Sequence, residues 1–250
     1  MLKTVKKPCQ KWLLPVEFLT FIGYLILEKM KLYSLGFLLL VLVASSCNDA
    51  LKETPALSTI EQLTLGNQRF LNNQSIHPHQ NKAAVLANEK AQHPFAVVIT
   101  CSDSRVSSEI VFDQGIGDLF VGRVAGNVVN EDQLGSMEYA CKVAGAKLVM
   151  VLGHEHCGAV KSAIDDVKLG NITALLTKIK PALLKSQDFT GEKTSKNEAF
   201  VKHVCENNIR NTIEQIRAKS PILKEMETKG QIKIVGAYFD LSDSSLEFVQ

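Results

Sequence analysis

The sequence predicts an α/β fold in which a mostly parallel central sheet is flanked by helices. Residues 94–100 and 146–152 form two continuous apolar runs that are rich in β-branched side chains. Such runs are typical of strands buried on both faces, as in a parallel sheet. Segments with helical spacing of apolar residues lie between and after the runs, which is the alternation that α/β domains show.

Residues 30–46 have the features of an export signal. A lysine at position 31 precedes an almost wholly apolar run over residues 32–43, and Ala44-Ser45-Ser46-Cys47 follows. A positive start, an apolar core of about a dozen residues and small residues before a cut describe a secretory signal. The cysteine after them is similar to the lipidation site of bacterial lipoproteins. We therefore expect an exported protein that a lipid on Cys47 anchors to a bacterial membrane, on its periplasmic or surface side.

Two alternatives concern this N-terminal region. The apolar run could be an uncleaved anchor, although it is shorter than the ~20 residues that span a bilayer. Residues 1–29 contain a second apolar stretch, interrupted by Pro15 and Glu17. Because a signal normally begins at its own methionine, we interpret residues 1–29 as a misassigned upstream extension, with a membrane hairpin as the alternative. Residues 47–57 are predicted to be a polar tether.

Capping and periodicity predict the elements of the remaining domain, residues 58–250. Ser58 and Glu61 form a capping box that starts a helix over residues 58–71. Further helices are predicted at 106–112, 133–144, 157–185 with a break at Gly170-Asn171, and 197–219; further strands are predicted at 118–124, 231–238 and 245–249.

Composition and charge agree with one enzyme-sized domain. The 250 residues are 46% hydrophobic, which is enough to build a full core. The net charge of +2 is misleading, because six of the 28 basic residues but only two of the 26 acidic residues lie in residues 1–46. The remainder therefore carries a net charge of about −2, and no nucleic-acid partner is expected.

Metal-binding side chains follow the two apolar runs. Cys101 comes directly after the first run, and His154 and Cys157 follow the second. Open α/β sheets bind ligands beyond the carboxyl ends of their strands, so we expect these three side chains to converge. Zinc with three protein ligands keeps a fourth position for water or substrate. The pattern therefore predicts a catalytic site with one Zn²⁺ per chain.

These residues resemble the signatures of the β-class carbonic anhydrases, C-x-D-x-R and H-x-x-C. The resemblance continues through Asp113-Gln-Gly115, Arg123-Val-Ala-Gly-Asn127 and Gly135-Ser-Met-Glu-Tyr139, and covers roughly residues 58–250. It implies reversible hydration of carbon dioxide to bicarbonate and a proton by zinc-bound hydroxide. It also implies an obligate homodimer or tetramer, in which the helix at 58–71 is an arm that packs on a partner subunit.

The resemblance implies roles for residues around the metal. Asp103 would accept a hydrogen bond from the zinc-bound hydroxide, and Arg105 would hold Asp103 off the metal as a bidentate partner. Without that hold, Asp103 becomes the fourth ligand in a closed state. The expected substrate-binding residues are Gln92, Phe120, Tyr139 and Gly158. Because Val98 stands where a second branch of the family has tryptophan, no regulatory bicarbonate site is expected.

Other interpretations remain open at this point. A CS₂ or COS hydrolase needs the same zinc site, whereas a non-catalytic zinc-binding domain would not need Asp103 and Arg105. Cysteines in an exported chain also suggest two disulfides, but we expect Cys141 and Cys205 to be small core residues. His156 is expected to be a solvated turn residue, with proton shuttling as the alternative.

Overall fold

A computed structural model describes residues 58–250. The predictions for the signal, the tether and Cys47 lie outside these residues. Among the described residues, no helix combines the length and the apolarity that crossing a bilayer requires.

The strands of residues 58–250 form one five-stranded sheet in the order β2-β1-β3-β4-β5. The first four strands pair in parallel, and β5 pairs antiparallel with β4. Every residue of β1 and β3 is buried. The predicted mostly parallel sheet is therefore confirmed. The bounds are β1 (Ala96–Thr100), β2 (Leu119–Arg123), β3 (Leu148–His154), β4 (Lys233–Phe239) and β5 (Leu246–Val249).

Helices flank this sheet, as predicted. In the described part of the chain they are α1 (Thr59–Leu71), α2 (Lys82–Ala87), α3 (Ser108–Val111), α4 (Glu131–Lys142), α5 (Gly158–Ile164), α6 (Gly170–Leu176), α7 (Lys180–Lys185), α8 (Glu198–Lys219) and α9 (Pro221–Thr228). A short 3₁₀ turn, Ala125–Asn127, follows β2.

Alternation along the buried strands divides the core between the two faces of the sheet. Successive side chains of a strand point to opposite faces. Ile99 of β1 accordingly belongs to the cluster that contains Met137 of α4 and Ile209 of α8. Val98 belongs to the other cluster, together with Leu63 of α1. Each face of β1 is thus covered by different helices, which explains its continuous apolar sequence.

The predicted helical region at 157–185 is three separate helices. Its break was predicted at Gly170-Asn171, but Gly170 begins α6, and the first break lies at residues 165–169. Asp166 ends α5 because it adopts a left-handed backbone conformation with φ of 51°. The helix α9 was not predicted, although Ser220 at its N-cap and Pro221 at its first position are typical start signals.

The disulfide interpretation is wrong for the cysteines that the structure describes. Cys101, Cys141, Cys157 and Cys205 are all free and buried. Cys141 and Cys205 lie in the main core cluster, as the sequence predicted.

The N-terminal helix α1 packs on its own domain. Its capping box is confirmed, with the Ser58 N–H donating to Glu61 Oε2 at 2.7 Å. Leu63 is fully buried, and Asn67 Nδ2 donates to the carbonyls of Val111 and Ser244, each at 3.1 Å. This side of the helix is thus covered by its own domain. The face that remains exposed includes Leu65.

We predict that Leu63→Ala lowers the free energy of unfolding by about 2–5 kcal/mol, because it opens a cavity between α1 and the sheet. The control Leu65→Ala changes the same residue type in the same helix at a side chain that is 39% exposed, and its effect should stay below about 1 kcal/mol. Urea denaturation measures both. Equal, small effects would mean that α1 does not pack on its own domain.

Candidate metal centre

The three predicted metal ligands lie together at one end of the sheet. Cys101 follows the last residue of β1, His154 is the last residue of β3, and Cys157 is the N-cap of α5. Their ligand atoms all lie within 4.8 Å of one another. The sequence placed His154 beyond its strand, but β3 continues to this residue because His154 pairs with Phe239 of β4.

The imidazole of His154 is prepared to bind a metal ion. Its Nδ1–H donates to the carbonyl oxygen of Glu155 at 2.8 Å, which leaves Nε2 as the unprotonated nitrogen. Nε2 is buried and has no hydrogen-bond partner among the described residues. A buried polar atom without a partner costs about 1–3 kcal/mol, and a metal ion between the three ligands removes that cost. The residues therefore fit a zinc ion.

The two thiols of the ligand set shift each other's pKa in opposite directions. A hydrogen bond from Cys157 lowers the pKa of Cys101 to about 4. The same hydrogen bond, together with burial, raises the pKa of Cys157. Cys101 also accepts a hydrogen bond from the Gly126 N–H, with an N–S distance of 3.3 Å. Metals bind thiolates, so a zinc ion held by Cys101 and Cys157 would require both thiols to lose their protons to solvent.

Asp103 and Arg105 form the bidentate pair that the sequence predicted. Arg105 Nε donates to Oδ1 at 2.9 Å, and Nη2 donates to Oδ2 at 2.8 Å. This guanidinium holds the pKa of Asp103 well below its ordinary value, so the carboxyl stays ionised near neutral pH. Asp103 Oδ2 lies 3.8 Å from His154 Nε2, which places the carboxylate beside the metal ligands.

Arg123 fixes the same loop, a role that its sequence context did not indicate. Its Nε donates to the carbonyl oxygen of Cys101 at 3.1 Å, and its Nη2 donates to that of Asp103 at 2.6 Å. Arg123 ends β2 and pairs with Thr100, the residue before Cys101. The position of Arg123 could have indicated this contact. An arginine at the end of a strand that pairs with β1 lies next to the first ligand.

Comparison with known proteins agrees with this ligand set. A family model described as carbonic anhydrase matches residues 96–246. A carbonic anhydrase of Mycolicibacterium smegmatis is 38% identical over 187 residues, covering 73% of this chain and 87% of that protein. Carbonic anhydrase 2 of Mycobacterium tuberculosis is 34% identical over 198 residues, covering 76% and 91%. This chain belongs to the carbonic anhydrase family.

Solved structures place the carbonic anhydrase fold of this chain in the β class. A tetrameric β-carbonic anhydrase from Sordaria macrospora gives a TM-score of 0.60 at 21% identity, covering 74% of this chain and 93% of that one. A Coccomyxa β-carbonic anhydrase in complex with acetazolamide gives 0.58 at 21% identity, covering 77% and 87%. At this identity, the likeness establishes the fold.

In this carbonic anhydrase, the residues predicted to bind substrate do not all lie at the metal centre. Gln92, Phe120 and Tyr139 line a separate open hollow at the side of α4. None of the three metal ligands lines that hollow. Gly158, in contrast, directly follows Cys157, and a Cβ atom built on it would meet nothing within 4 Å. Gly158 therefore lies at an open surface beside Cys157.

His156 lies in the turn between the ligands His154 and Cys157, but it does not belong to the ligand cluster. Its side chain is 34% exposed. Its ring nitrogens lie 3.6 Å from a carboxylate oxygen of Glu155 and 3.7 Å from one of Glu198. His156 thus faces two acidic side chains at the surface, and proton shuttling stays the untested alternative to a solvated turn residue.

We predict that the purified protein carries close to one Zn²⁺ per chain and that Cys101→Ala and Cys157→Ala lose it, because each removes a thiolate ligand. Cys141→Ala is the matched control, since Cys141 is also buried and free but lies in α4. Elemental analysis of purified variants gives the ratio. Stoichiometric zinc in either ligand variant would refute this ligand set.

Proposed function

We propose that the Cys101–His154–Cys157 centre holds one Zn²⁺ and catalyses the reversible hydration of carbon dioxide to bicarbonate and a proton. The observation that carries the proposal is the buried three-ligand cluster with a carboxylate beside it. When bound, Zn²⁺ lowers the pKa of a bound water toward ~7 and so supplies the nucleophile near neutral pH.

Asp103 is proposed to orient the attacking oxygen. A carboxylate that stays ionised accepts a hydrogen bond and turns the oxygen lone pair toward the carbon of the substrate. Arg105 occupies both carboxylate oxygens and so keeps Asp103 from binding the metal as a fourth protein ligand. A purely structural zinc site has no use for this restraint, which argues against the non-catalytic alternative.

The substrate site is proposed to be completed by a second copy of the chain. Gln92, Phe120 and Tyr139 line a hollow that holds no metal ligand of their own chain. These side chains act on substrate only if assembly brings one subunit's hollow to the other subunit's metal. The 48% exposure of the Tyr139 side chain supports this arrangement, because a partner would cover it. A dimer or tetramer is proposed on this basis.

Export and lipid anchoring are proposed from the N-terminal sequence. Residues 30–46 have the composition of a signal, and Cys47 stands directly after its small residues. A lipid on Cys47 would place the catalytic domain at a bacterial membrane, with residues 47–57 as the tether.

We predict that Arg105→Ala keeps its zinc but loses roughly 10–100-fold in kcat for hydration, since the freed Asp103 carboxylate closes the open position. Arg105→Lys should recover only part of the activity, because an ammonium is a point charge and not a bidentate fork. Stopped-flow assays of carbon dioxide hydration, with and without a chelator, measure kcat, and elemental analysis measures zinc.

Arg217→Ala is the control for this experiment. Arg217 forms an equivalent bidentate pair with Glu227, at 2.8 and 2.7 Å, in another part of the domain. The variant Arg217→Ala should keep normal turnover. If Arg105→Ala turned over like the unmodified protein across about pH 6.5 to 9, the restraint on Asp103 would have no catalytic role.

We predict that the protein incorporates labelled fatty acid in a bacterial host and that Cys47→Ala abolishes the label, because the thiol is the acceptor. Cys141→Ala, which changes a free cysteine of the domain itself, is the control and should keep the label. Mass spectrometry of the mature N-terminus should find it at Cys47. Labelling that survives in Cys47→Ala would rule out this anchoring site.

A further inference from the structure

The turn that follows β2 contacts a metal ligand through its backbone. The N–H of Gly126 donates to Cys101 Sγ at an N–S distance of 3.3 Å, and this contact is buried. Hydrogen bonds from backbone amides to a metal-bound thiolate withdraw electron density from the sulfur, and so weaken its donation to the metal. The direction of this one N–H therefore matters for the proposed zinc centre.

The backbone of this turn is in an unfavourable conformation. Gly126 and Asn127 are consecutive residues with positive φ, 70° and 46°. The left-handed region is open to glycine but costs other residues about 1–2 kcal/mol. A Cβ atom at Gly126 would also lie 2.7 Å from Ile179 Cδ1, so the Ile179 side chain would have to shift. Such a conformation persists only where the surrounding structure holds it in place.

Two polar side chains of α8 donate hydrogen bonds to the backbone of this turn. Asn208 Nδ2 donates to the carbonyl oxygen of Gly126 at 2.7 Å, and Thr212 Oγ1 donates to that of Asn127 at 3.2 Å. Residues four apart on a helix share one face, so α8 offers both donors to two successive carbonyls. Asn208 is fully buried and Thr212 is 2% exposed. Without Asn208, the Gly126 carbonyl would lose this partner in a buried place.

Helix α8 also packs against the segment that carries the ligand His154. A Cβ atom on Gly153, the residue before the ligand His154, would lie 2.7 Å from Ile209 Cδ1 and 2.9 Å from Cys205 Sγ. Glycine at this position lets α8 lie directly against β3. Cys205 also donates to the carbonyl oxygen of His154, at 3.6 Å. The same helix thus contacts the backbone of the segment that carries His154 and the backbone of the turn that donates to Cys101.

We propose that Asn208, assisted by Thr212, is a positioning residue for the metal centre. It fixes the Ala125–Asn127 turn so that the Gly126 N–H donates to the Cys101 sulfur, and thereby sets how strongly that thiolate donates to the metal. The inference rests on the proposed zinc site. It adds that a residue of α8 with no contact to the metal controls the electronic character of one ligand.

Cobalt substitution tests this role, because the charge-transfer absorption from thiolate to Co²⁺ reports the donor strength of the sulfur. In Asn208→Ala the turn is released and the N–H···S bond weakens, so the band should move to longer wavelength. Zinc affinity should fall by roughly 10–100-fold, because the released turn no longer holds Cys101 in its binding position and this loss outweighs the stronger donation of the sulfur. Thr212→Val, which removes only the hydroxyl, should shift the band in the same direction by less.

Asn211→Ala is the matched control. Asn211 lies on the same helix and is 4% exposed, and its side chain makes no hydrogen bond within residues 58–250. It should leave the band and the zinc affinity unchanged. A merely structural role for Asn208 predicts a lower unfolding midpoint in urea with an unchanged band, and that result would overturn the proposal.

The remaining outcomes of these experiments also test the proposal. If Asn208→Ala cannot be purified in folded form, Thr212→Val carries the test, and an unchanged band in that variant overturns the proposal. A starting protein that binds neither zinc nor cobalt would overturn the proposed metal site, and the positioning role with it. If the unmodified protein binds metal normally but the variants show no spectral change, only the positioning role is overturned.

Discussion

The parallel register between β1 and β3 is the constraint on which the metal centre depends. Thr100, the last residue of β1, pairs with Leu152, and its buried Oγ1 donates to the Leu152 carbonyl at 3.1 Å. Cys101 and His154 follow this pair by one and two residues, so they leave the sheet at the same end. A slip of one residue would turn all side chains of the strand to the opposite face. The ligands would then no longer converge.

Contacts beyond the strand ends convert this proximity into a defined site. Arg123 holds the carbonyls of Cys101 and Asp103, and the Glu155 carbonyl fixes the tautomer of His154. The charges also balance. Two thiolates neutralise the two positive charges of a zinc ion, and the Arg105 guanidinium neutralises Asp103. With neutral water at the open position, the buried centre would therefore carry no uncompensated charge, which would be costly in a low-dielectric interior.

The sheet and the ligands could be predicted because local sequence determines them. Continuous apolar runs indicated β1 and β3, and the rule that strand ends carry ligands indicated Cys101, His154 and Cys157. The end of α5 could not be predicted in the same way, because Asp166 gives no signal of its left-handed conformation. The hollow around Tyr139 was grouped with the metal site by resemblance, whereas the structure of one chain separates them. Sequence pattern contains no information about such spatial separation.

Contacts between distant residues were equally inaccessible to the sequence. Asn208 and Gly126 are 82 residues apart, and an asparagine in a helix is ordinarily a solvated residue. Its role depends on the packing of α8 against β3 beside Gly153, which the sequence pattern does not reveal. Side chains that hold ligands in place are therefore harder to predict than the ligands, because they act through the backbone of other segments.

X-ray absorption spectroscopy of the zinc-loaded protein tests the central claim most directly, because it counts the atoms bound to the metal. The structure predicts two sulfur ligands, one imidazole nitrogen and one further light atom at the open position. The thiol of Cys205 is not part of this set, because it donates to the backbone carbonyl of His154. A spectrum with three sulfur ligands, or with none, would contradict the account of an open centre built from Cys101, His154 and Cys157.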